Sequence, residues 1–172
     1  MQISKMELGE EHIVEELARE IWFETYADIL SIGQIIYMLN KYLSKEAVAR
    51  GIKEDNYEYF LLKEDDIYIG FYAVRHESDR LFLSKAYIVK DSRGKGYFKK
   101  IMDNVFENLR RKEKSVYLTV NKNNDAKDKY LSIGFDIIDE VKSDIGGGYV
   151  MDDYIMEITR EKYENIKDKK SI

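Results

Sequence analysis

The feature that most constrains the fold is a glycine-rich turn between a strand and a strongly amphipathic helix. The turn has the sequence DSRGKG (residues 91–96) and follows a predicted strand at 80–90. After it, apolar side chains recur at helical spacing at Phe98, Ile101, Met102, Val105, Phe106 and Leu109. A helix N-terminus attracts phosphate oxygens, glycines let the backbone approach them, and Arg93 and Lys95 add positive charge. The junction therefore predicts pyrophosphate binding.

Two other phosphate-binding motifs fit this turn poorly. A Walker-type loop ends in Gly-Lys-Ser/Thr, whereas Lys95 is followed by Gly96. A dinucleotide fingerprint requires glycine three residues after Gly96, where the chain has Lys99. An enzyme acting on a nucleotide phosphate is thus a disfavoured alternative.

The rest of the chain alternates between period-two and helical patterns. The patterns predict a strand at 1–6, helices at 10–28, 34–42 and 44–50, a hairpin at 57–63 and 67–74, a strand at 115–121, a helix at 123–133, and strands at 135–141 and 149–158. Gly51 is expected to end the third helix, and Gly146 to Gly148 to form a turn. Consecutive strands followed by alternating strands and helices indicate a mixed sheet with helices on both faces.

Composition limits the protein class. The 172 residues suit one domain, predicted over 1–160, with a charged C-terminal tail at 161–172. The sequence has no cysteine, no apolar stretch of membrane-spanning length and no signal-peptide pattern, so we expect a cytoplasmic protein without membrane association. A net charge of −5 disfavours nucleic acid as a partner. His12 and His76 lack companion ligands, and no metal site is expected.

The turn and its surroundings resemble the acyl-CoA loop of the GNAT superfamily, whose pattern is Arg/Gln-x-x-Gly-x-Gly/Ala. Arg93 and Gly96 match that pattern, and Phe98 stands where Gly or Ala is usual. The resemblance covers nearly the whole chain. It implies an α/β (α+β) fold with a mixed, mostly antiparallel central sheet of six or seven strands and helices on both faces. It also implies a V-shaped splay between the strands at 81–90 and 115–121.

The resemblance implies acetyl-CoA as the cofactor, with its pantetheine arm paired to the strand before the turn. The residues that it assigns to cofactor binding are Tyr87, Ile88, Val89, Arg93, Gly94, Lys95, Gly96, Tyr97, Phe98, Asn121 and Asn123. In the mechanism that it implies, a backbone N–H near Ile88 stabilises the tetrahedral oxyanion.

A second matching segment lies between Tyr117 and Phe135. Asn123, Ala126 and Tyr130 are spaced i, i+3, i+7, which would place them on one helix face. In the family this segment supplies a contact to the pantetheine arm, here Asn123, and the acid that reprotonates the departing thiolate, here Tyr130. The interval before the tyrosine is one residue shorter than usual, so Asn121 and Asn124 remain alternatives to Asn123.

Two further segments, WFETY (22–26) and GYVMDDY (148–154), resemble bacterial polyamine (spermidine/spermine) N-acetyltransferases of the same superfamily. They flank the acceptor side in that family, which implies Glu24, Tyr26, Asp152 and Asp153 as substrate-binding residues and candidate general bases. Of these, we assign Glu24 to catalysis together with Tyr130.

The function predicted from the sequence is acetyl-CoA-dependent transfer of an acetyl group to a primary amine, with a small polyamine as acceptor. Within this class, the acceptor could instead be an antibiotic, an amino acid or a protein N-terminus. From another class, a non-catalytic acyl-CoA-binding or regulatory module on the same fold remains open. A small-molecule amine is the expected partner, and a homodimer is possible.

Overall fold

The computed structural model describes residues 1–169, which form seven strands and six α-helices. The strands are β1 (Gln2–Lys5), β2 (Tyr57–Glu64), β3 (Ile67–His76), β4 (Arg80–Ile88), β5 (Ser115–Asn121), β6 (Asp136–Gly146) and β7 (Tyr149–Thr159). The helices are α1 (Glu11–Tyr26), α2 (Ile32–Tyr42), α3 (Lys45–Lys53), α4 (Tyr97–Glu107), α5 (Ala126–Ile133) and α6 (Arg160–Lys169). Of the predicted tail at 161–172, residues 170–172 lie outside the described residues.

The strands form one sheet in the order β1-β2-β3-β4-β5-β7-β6. β4 and β5 run parallel, whereas β1 with β2, β2 with β3, β5 with β7 and β6 with β7 are antiparallel. The predicted mixed, mostly antiparallel sheet is therefore confirmed. In the described part of the chain, no helix combines the length and the apolar character needed to cross a membrane.

The chain divides into two compact units, and β4 contributes to both. The first unit comprises Met1–Arg75 with Ser84–Glu107, and the second comprises His76–Leu83 with the residues from Asn108 onward. β4 ends at Ile88, two residues earlier than predicted, because a turn of 3-10 helix occupies Lys90–Ser92. The V-shaped splay and the single domain over 1–160 stay predictions.

In the first unit, helices cover both faces of the sheet. Consecutive residues 69–74 of β3 are all buried, which requires cover on both faces. Phe71 and Tyr72 point to opposite faces because they are neighbours on a strand. The Tyr72 hydroxyl donates a hydrogen bond to Asn104 of α4, whereas Phe71 contacts the ring of Tyr87, which in turn contacts Trp22 of α1. α1 and α4 thus lie on opposite faces.

The third helix does not end at Gly51, contrary to the sequence prediction. α3 continues through Gly51 to Lys53, and the N–H of Glu54 closes it on the carbonyl oxygens of Arg50 and Gly51. A Cβ at Gly51 would lie 3.5 Å from the ring of Tyr57. That distance is an ordinary van der Waals contact, so the position does not require glycine, but packing of the buried Gly51 against the strand outweighs its low helix propensity.

In the second unit, β7 pairs with β5 along its whole length, from Ser115↔Thr159 to Asn121↔Asp153. The β6–β7 turn contains three glycines with positive φ (85°, 65° and 79°), as the sequence predicts for Gly146 to Gly148. α5 begins at Ala126, not at Asn123, because the Asn124 side chain accepts a hydrogen bond from the Ala126 N–H (2.9 Å).

The late start of α5 corrects one premise of the site prediction. Asn123 lies in the turn before the helix, where its N–H donates to Asn121 Oδ1 (3.0 Å). It therefore does not share a helix face with Ala126 and Tyr130.

Gly70 marks a close approach of β3 to β4 and provides a test of the fold. A Cβ at this position would collide with the Tyr87 carbonyl oxygen and lie 3.1 Å from Ile88 Cα. We expect Gly70→Ala to lower the free energy of unfolding by about 1–3 kcal/mol, since backbone atoms cannot yield as a side chain can. Urea unfolding followed by circular dichroism measures the change.

Gly33→Ala is the matched control, since Gly33 is exposed on α2. It should leave stability unchanged or raise it by about 1 kcal/mol or less. Equal destabilisation by both variants would contradict the close approach.

Candidate functional site

The glycine turn of the first unit is open to solvent. Gly94 and Gly96 have φ values of 78° and 77°, in the left-handed region that favours glycine, and α4 begins directly after them at Tyr97. A Cβ at either glycine would meet no atom within 4 Å. The first turn of a helix leaves backbone N–H groups without intrahelical partners. The turn therefore has the space and the donors for an anionic group.

Both cations of the turn are held by carboxylates. The Arg93 Nε donates to the Ile88 carbonyl oxygen (2.9 Å), and its Nη1 donates to Glu24 of α1 (2.8 Å). Lys95 pairs with Glu64 at 3.1 Å, and the Tyr97 hydroxyl donates to the same carboxylate. These bonds fix the turn against β4, α1 and the β2–β3 hairpin.

The C-terminal end of β4 presents different groups to its two edges. The Val89 N–H donates to the Ile69 carbonyl oxygen (2.9 Å), so Val89 is bound to β3. Neighbouring residues of a strand direct their N–H groups to opposite edges, which places the Ile88 N–H on the edge of β4 away from β3. The Ile88 N–H is thus positioned to bind a ligand group along that edge.

The structure gives Glu24 and Tyr26 surroundings that the sequence did not reveal. Glu24 is bound to Arg93 in a half-exposed ion pair. Tyr26 is buried, with its ring 4.7 Å from that of Trp22, which also contacts Tyr87 at 5.9 Å. Glu24 therefore stabilises the glycine turn through its ion pair with Arg93, and Tyr26 belongs to an aromatic cluster.

In the second unit, Tyr130 is buried at the C-terminal end of α5. Its ring meets that of Phe135 edge to face at 5.5 Å, and its carbonyl oxygen accepts the N–H groups of Gly134 and Phe135. Asn121 lies at the end of β5, buried, and accepts the N–H of Asn123. The buried Asn124 accepts the N–H of Ala126, the first residue of α5.

The neighbouring carboxylates of β7 differ in their partners. Lys122 binds Asp152 at 2.8 Å and Glu140 at 2.6 Å, and these hydrogen bonds raise the pKa of Lys122. Asp153 Oδ1 is shielded from solvent and accepts no hydrogen bond from the described residues. Asp152 is thus neutralised, whereas Asp153 is not.

The environment of Asp153 changes its acidity. Burial, with a smaller contribution from the charge of Asp152, raises the pKa of Asp153 from 3.8 to about 6. The group is therefore mostly ionised at pH 7 and still able to take up a proton. A carboxylate with this pKa is suited to general-base chemistry near neutral pH.

Sequence reasoning missed two residues of these clusters, Glu64 and Lys122. Both act by pairing with a charged residue distant in sequence or on another strand, and neither belongs to a motif. Among the described residues, no group of three or more His, Asp or Glu side chains is arranged to hold a metal ion. His76 pairs instead with Glu113, at 2.8 Å.

Comparison with known proteins gives a family. The model of the acetyltransferase (GNAT) domain matches residues 30–150, which is more than half of the chain. No curated protein sequence matches the chain.

Solved structures share the fold at low sequence identity. The PaiA N-acetyltransferase from Thermoplasma acidophilum, in complex with coenzyme A, is 22% identical, with a TM-score of 0.72 over 92% of this chain and 98% of that chain. A spermidine N-acetyltransferase SpeG chimera from Vibrio cholerae and hSSAT is 18% identical (TM-score 0.68, 95% and 98% covered). The ribosomal-protein-S18-alanine N-acetyltransferase from Escherichia coli is 16% identical (TM-score 0.67, 92% of both chains).

The raised pKa of Asp153 predicts a pH-dependent stability. Since the folded-state pKa of about 6 exceeds the ordinary 3.8, the folded protein binds this proton more tightly than the unfolded chain does. The free energy of unfolding should fall by about 1–2 kcal/mol as pH rises from 4 through 6, a value reduced because the carboxyl group is partly screened by solvent. Urea unfolding across this range measures it.

Asp153→Asn removes the titrating group and should flatten this part of the stability profile. An Asp153 carboxyl carbon that titrates near its ordinary value by NMR would contradict the interpretation.

Proposed function

Because the chain belongs to the GNAT acetyltransferase family, and is thereby an N-acetyltransferase, we propose that it moves the acetyl group of acetyl-CoA directly onto a primary amine of a small polyamine. The observation that carries the proposal is the open turn at Gly94 and Gly96 immediately before α4. Such a turn suits the diphosphate of coenzyme A, which needs close backbone approach and N–H donors.

The proposed cofactor site uses the residues of the turn and the end of β4. Backbone N–H groups of residues 94–98 bind the diphosphate, and Lys95 adds positive charge. Arg93 stabilises the turn through Ile88 and Glu24. In the first unit, the backbone of Tyr87, Ile88 and Val89 is the proposed contact to the pantetheine arm, and Asn121 and Asn123 are the cofactor contacts proposed for the second unit. Acetyl-CoA, when bound, supplies the acetyl thioester.

The acceptor amine must lose a proton before it attacks. A primary amine with a pKa of about 10.4 is mostly protonated at pH 7, and its deprotonation costs roughly 4–5 kcal/mol. We propose Asp153 as the general base that takes this proton, directly or through water. Glu24, the residue favoured from the sequence, is less suitable because Arg93 already binds its carboxylate.

Acyl transfer develops negative charge on the thioester oxygen. The N–H of Ile88, on the edge of β4 away from β3, is the proposed donor to this oxygen, since a fixed backbone dipole needs no reorganisation. With acetyl-CoA bound, formation of the C–N bond would be matched by breakage of the C–S bond. Tyr130 is the proposed acid that would protonate the leaving thiolate, and the second proton lost by the amine nitrogen would restore the Tyr130 hydroxyl through solvent.

The polyamine part of the proposal is supported by a carboxylate and by similarity. Asp153 supplies a carboxylate that no cation of the described residues neutralises, on one of the segments that resemble polyamine acetyltransferases, and the chain carries a net charge of −5. The chain also shares its fold with a spermidine N-acetyltransferase chimera. An antibiotic, an amino acid or a protein N-terminus is the alternative acceptor.

The proposal also includes a homodimer and a location in the cytoplasm. Ile137 and Ile138 on the edge strand β6 are 43% and 49% exposed, which supports a homodimer. Use of acetyl-CoA supports a location in the cytoplasm.

The direct test mixes the protein with acetyl-CoA and spermidine and measures free thiol. We expect thiol release that depends on the amine, and about 10-fold or greater loss of turnover in Tyr130→Phe with coenzyme A affinity unchanged, because the ring is kept and only the proton donor is lost. If coenzyme A binds but no amine of a broad panel releases thiol, the protein is a non-catalytic acyl-CoA-binding module. A large loss of coenzyme A binding in Tyr130→Phe would show that the hydroxyl holds the cofactor.

The role of Asp153 is tested against its neighbour. Asp153→Asn should lower kcat by about 100-fold or more and abolish the fall of kcat/KM below pH 6, since the base is removed. Asp152→Asn is the matched control, because Lys122 already binds that carboxylate, and it should change kcat only a few-fold. Equal losses in both variants would argue for a shared role in acceptor binding and against a specific base.

A further inference from the structure

A lysine of the first unit lies outside the site described above and has unusual contacts. Lys85 is on β4, where its Nζ lies 4.7 Å from the ring centroid of Tyr57 and 5.6 Å from that of Tyr59. It donates one hydrogen bond, to Ser84 Oγ at 3.0 Å. The ammonium is thus held by one hydroxyl and two ring faces.

Other lysines of the described chain show what Lys85 lacks. Lys5, Lys95 and Lys162 each bind a carboxylate at 3.1 Å or less. No carboxylate oxygen of the described residues is in such contact with Lys85, and Asp55 acts on it only through a weaker electrostatic interaction. A partly buried ammonium without a counter-ion is less favourable than one bound to a carboxylate.

A second cation makes the local charge more positive. The Arg75 guanidinium lies 5.2 Å from the same Tyr57 ring, and its Nη1 is 3.3 Å from the Tyr57 hydroxyl. Burial, together with the charge of Arg75, lowers the pKa of Lys85 to about 8. Burial raises the pKa of Tyr59, so that this phenol stays neutral and supplies no negative charge.

We propose that Lys85, Ser84 and Tyr57 form a binding site for the carboxylate group of a small molecule. A carboxylate forms short, charge-assisted hydrogen bonds with an ammonium, and the Tyr57 ring offers an apolar surface to the carbon chain behind it. All three residues are half-buried, which leaves the site reachable from solvent. The Tyr57 ring beside the ammonium favours a carboxylate that carries a carbon chain over inorganic phosphate. The site does not depend on which amine accepts the acetyl group.

The charge of Lys85 sets the pH dependence of binding. Below pH 8 the ammonium is protonated and binds the anion, whereas above pH 8 it loses its proton and affinity falls. The other charged or titratable groups facing it are Arg75, Asp55, Tyr57 and Tyr59, and Arg75 stays charged throughout this range.

The test measures the pKa of Lys85 in the intact protein by NMR of 13C-labelled lysine, with Lys85→Arg used to assign the resonance. In sodium chloride we expect a midpoint near 8. In sodium acetate of equal ionic strength the midpoint should rise by about one unit, because bound carboxylate favours the charged form. The exposed Lys112 is the internal control and should not shift.

Three outcomes would overturn the proposal. The first is a Lys85 titration midpoint that is the same in acetate as in chloride. The second is a midpoint shift at Lys112 equal to that at Lys85, and the third is a shift at Lys85 that inorganic phosphate produces and acetate does not. Tyr57→Leu should weaken the acetate effect while leaving the protein folded, as judged by its NMR spectrum. Thiol release with spermidine, measured in parallel, keeps failure of this site distinct from failure of the acetyltransferase proposal.

Discussion

The bonds of a single guanidinium determine the geometry of the candidate cofactor site. Arg93 reaches back to the last carbonyl of β4 and across to Glu24 of α1, so it joins the strand, the turn and a helix. Because glycine restricts the backbone least, a turn with two glycines depends on such bonds to stay ordered. The bonds of Arg93, together with those of Lys95 and Tyr97 to Glu64, hold the open turn at Gly94 and Gly96 in place.

In this protein, charged residues that have an oppositely charged partner play structural roles, whereas those without one are candidates for binding or proton transfer. Glu24, Glu64 and Asp152 each pair with a cation, and these ion pairs connect parts of the chain that are distant in sequence. Within residues 1–169, Asp153 and Lys85 have no oppositely charged side chain in such contact, and burial shifts both toward their neutral forms. Unpaired, partly buried charges are costly, so they are the groups for which a ligand or a proton transfer is the most reasonable explanation.

The sequence predicted the elements around the turn well and some boundaries poorly. The glycine turn, the hairpins and the stripe of α4 follow from local periodicity and from residues with positive φ. Gly51 and Asn123 were misjudged because non-local packing kept α3 helical and side-chain hydrogen bonds delayed α5. Propensity describes a segment by itself, whereas these boundaries depend on residues packed against it.

By itself, the sequence determined the order of elements, the family resemblance and the set of candidate residues, since periodicity and motif spacing are properties of neighbours along the chain. The tertiary structure alone decided which of those residues are already neutralised. Glu24 and Arg93 are 69 positions apart, and Lys95 and Glu64 are 31 apart, so no local pattern can report their contact. The acidity of Asp153 and Lys85 likewise arises from burial, which only the packed chain defines.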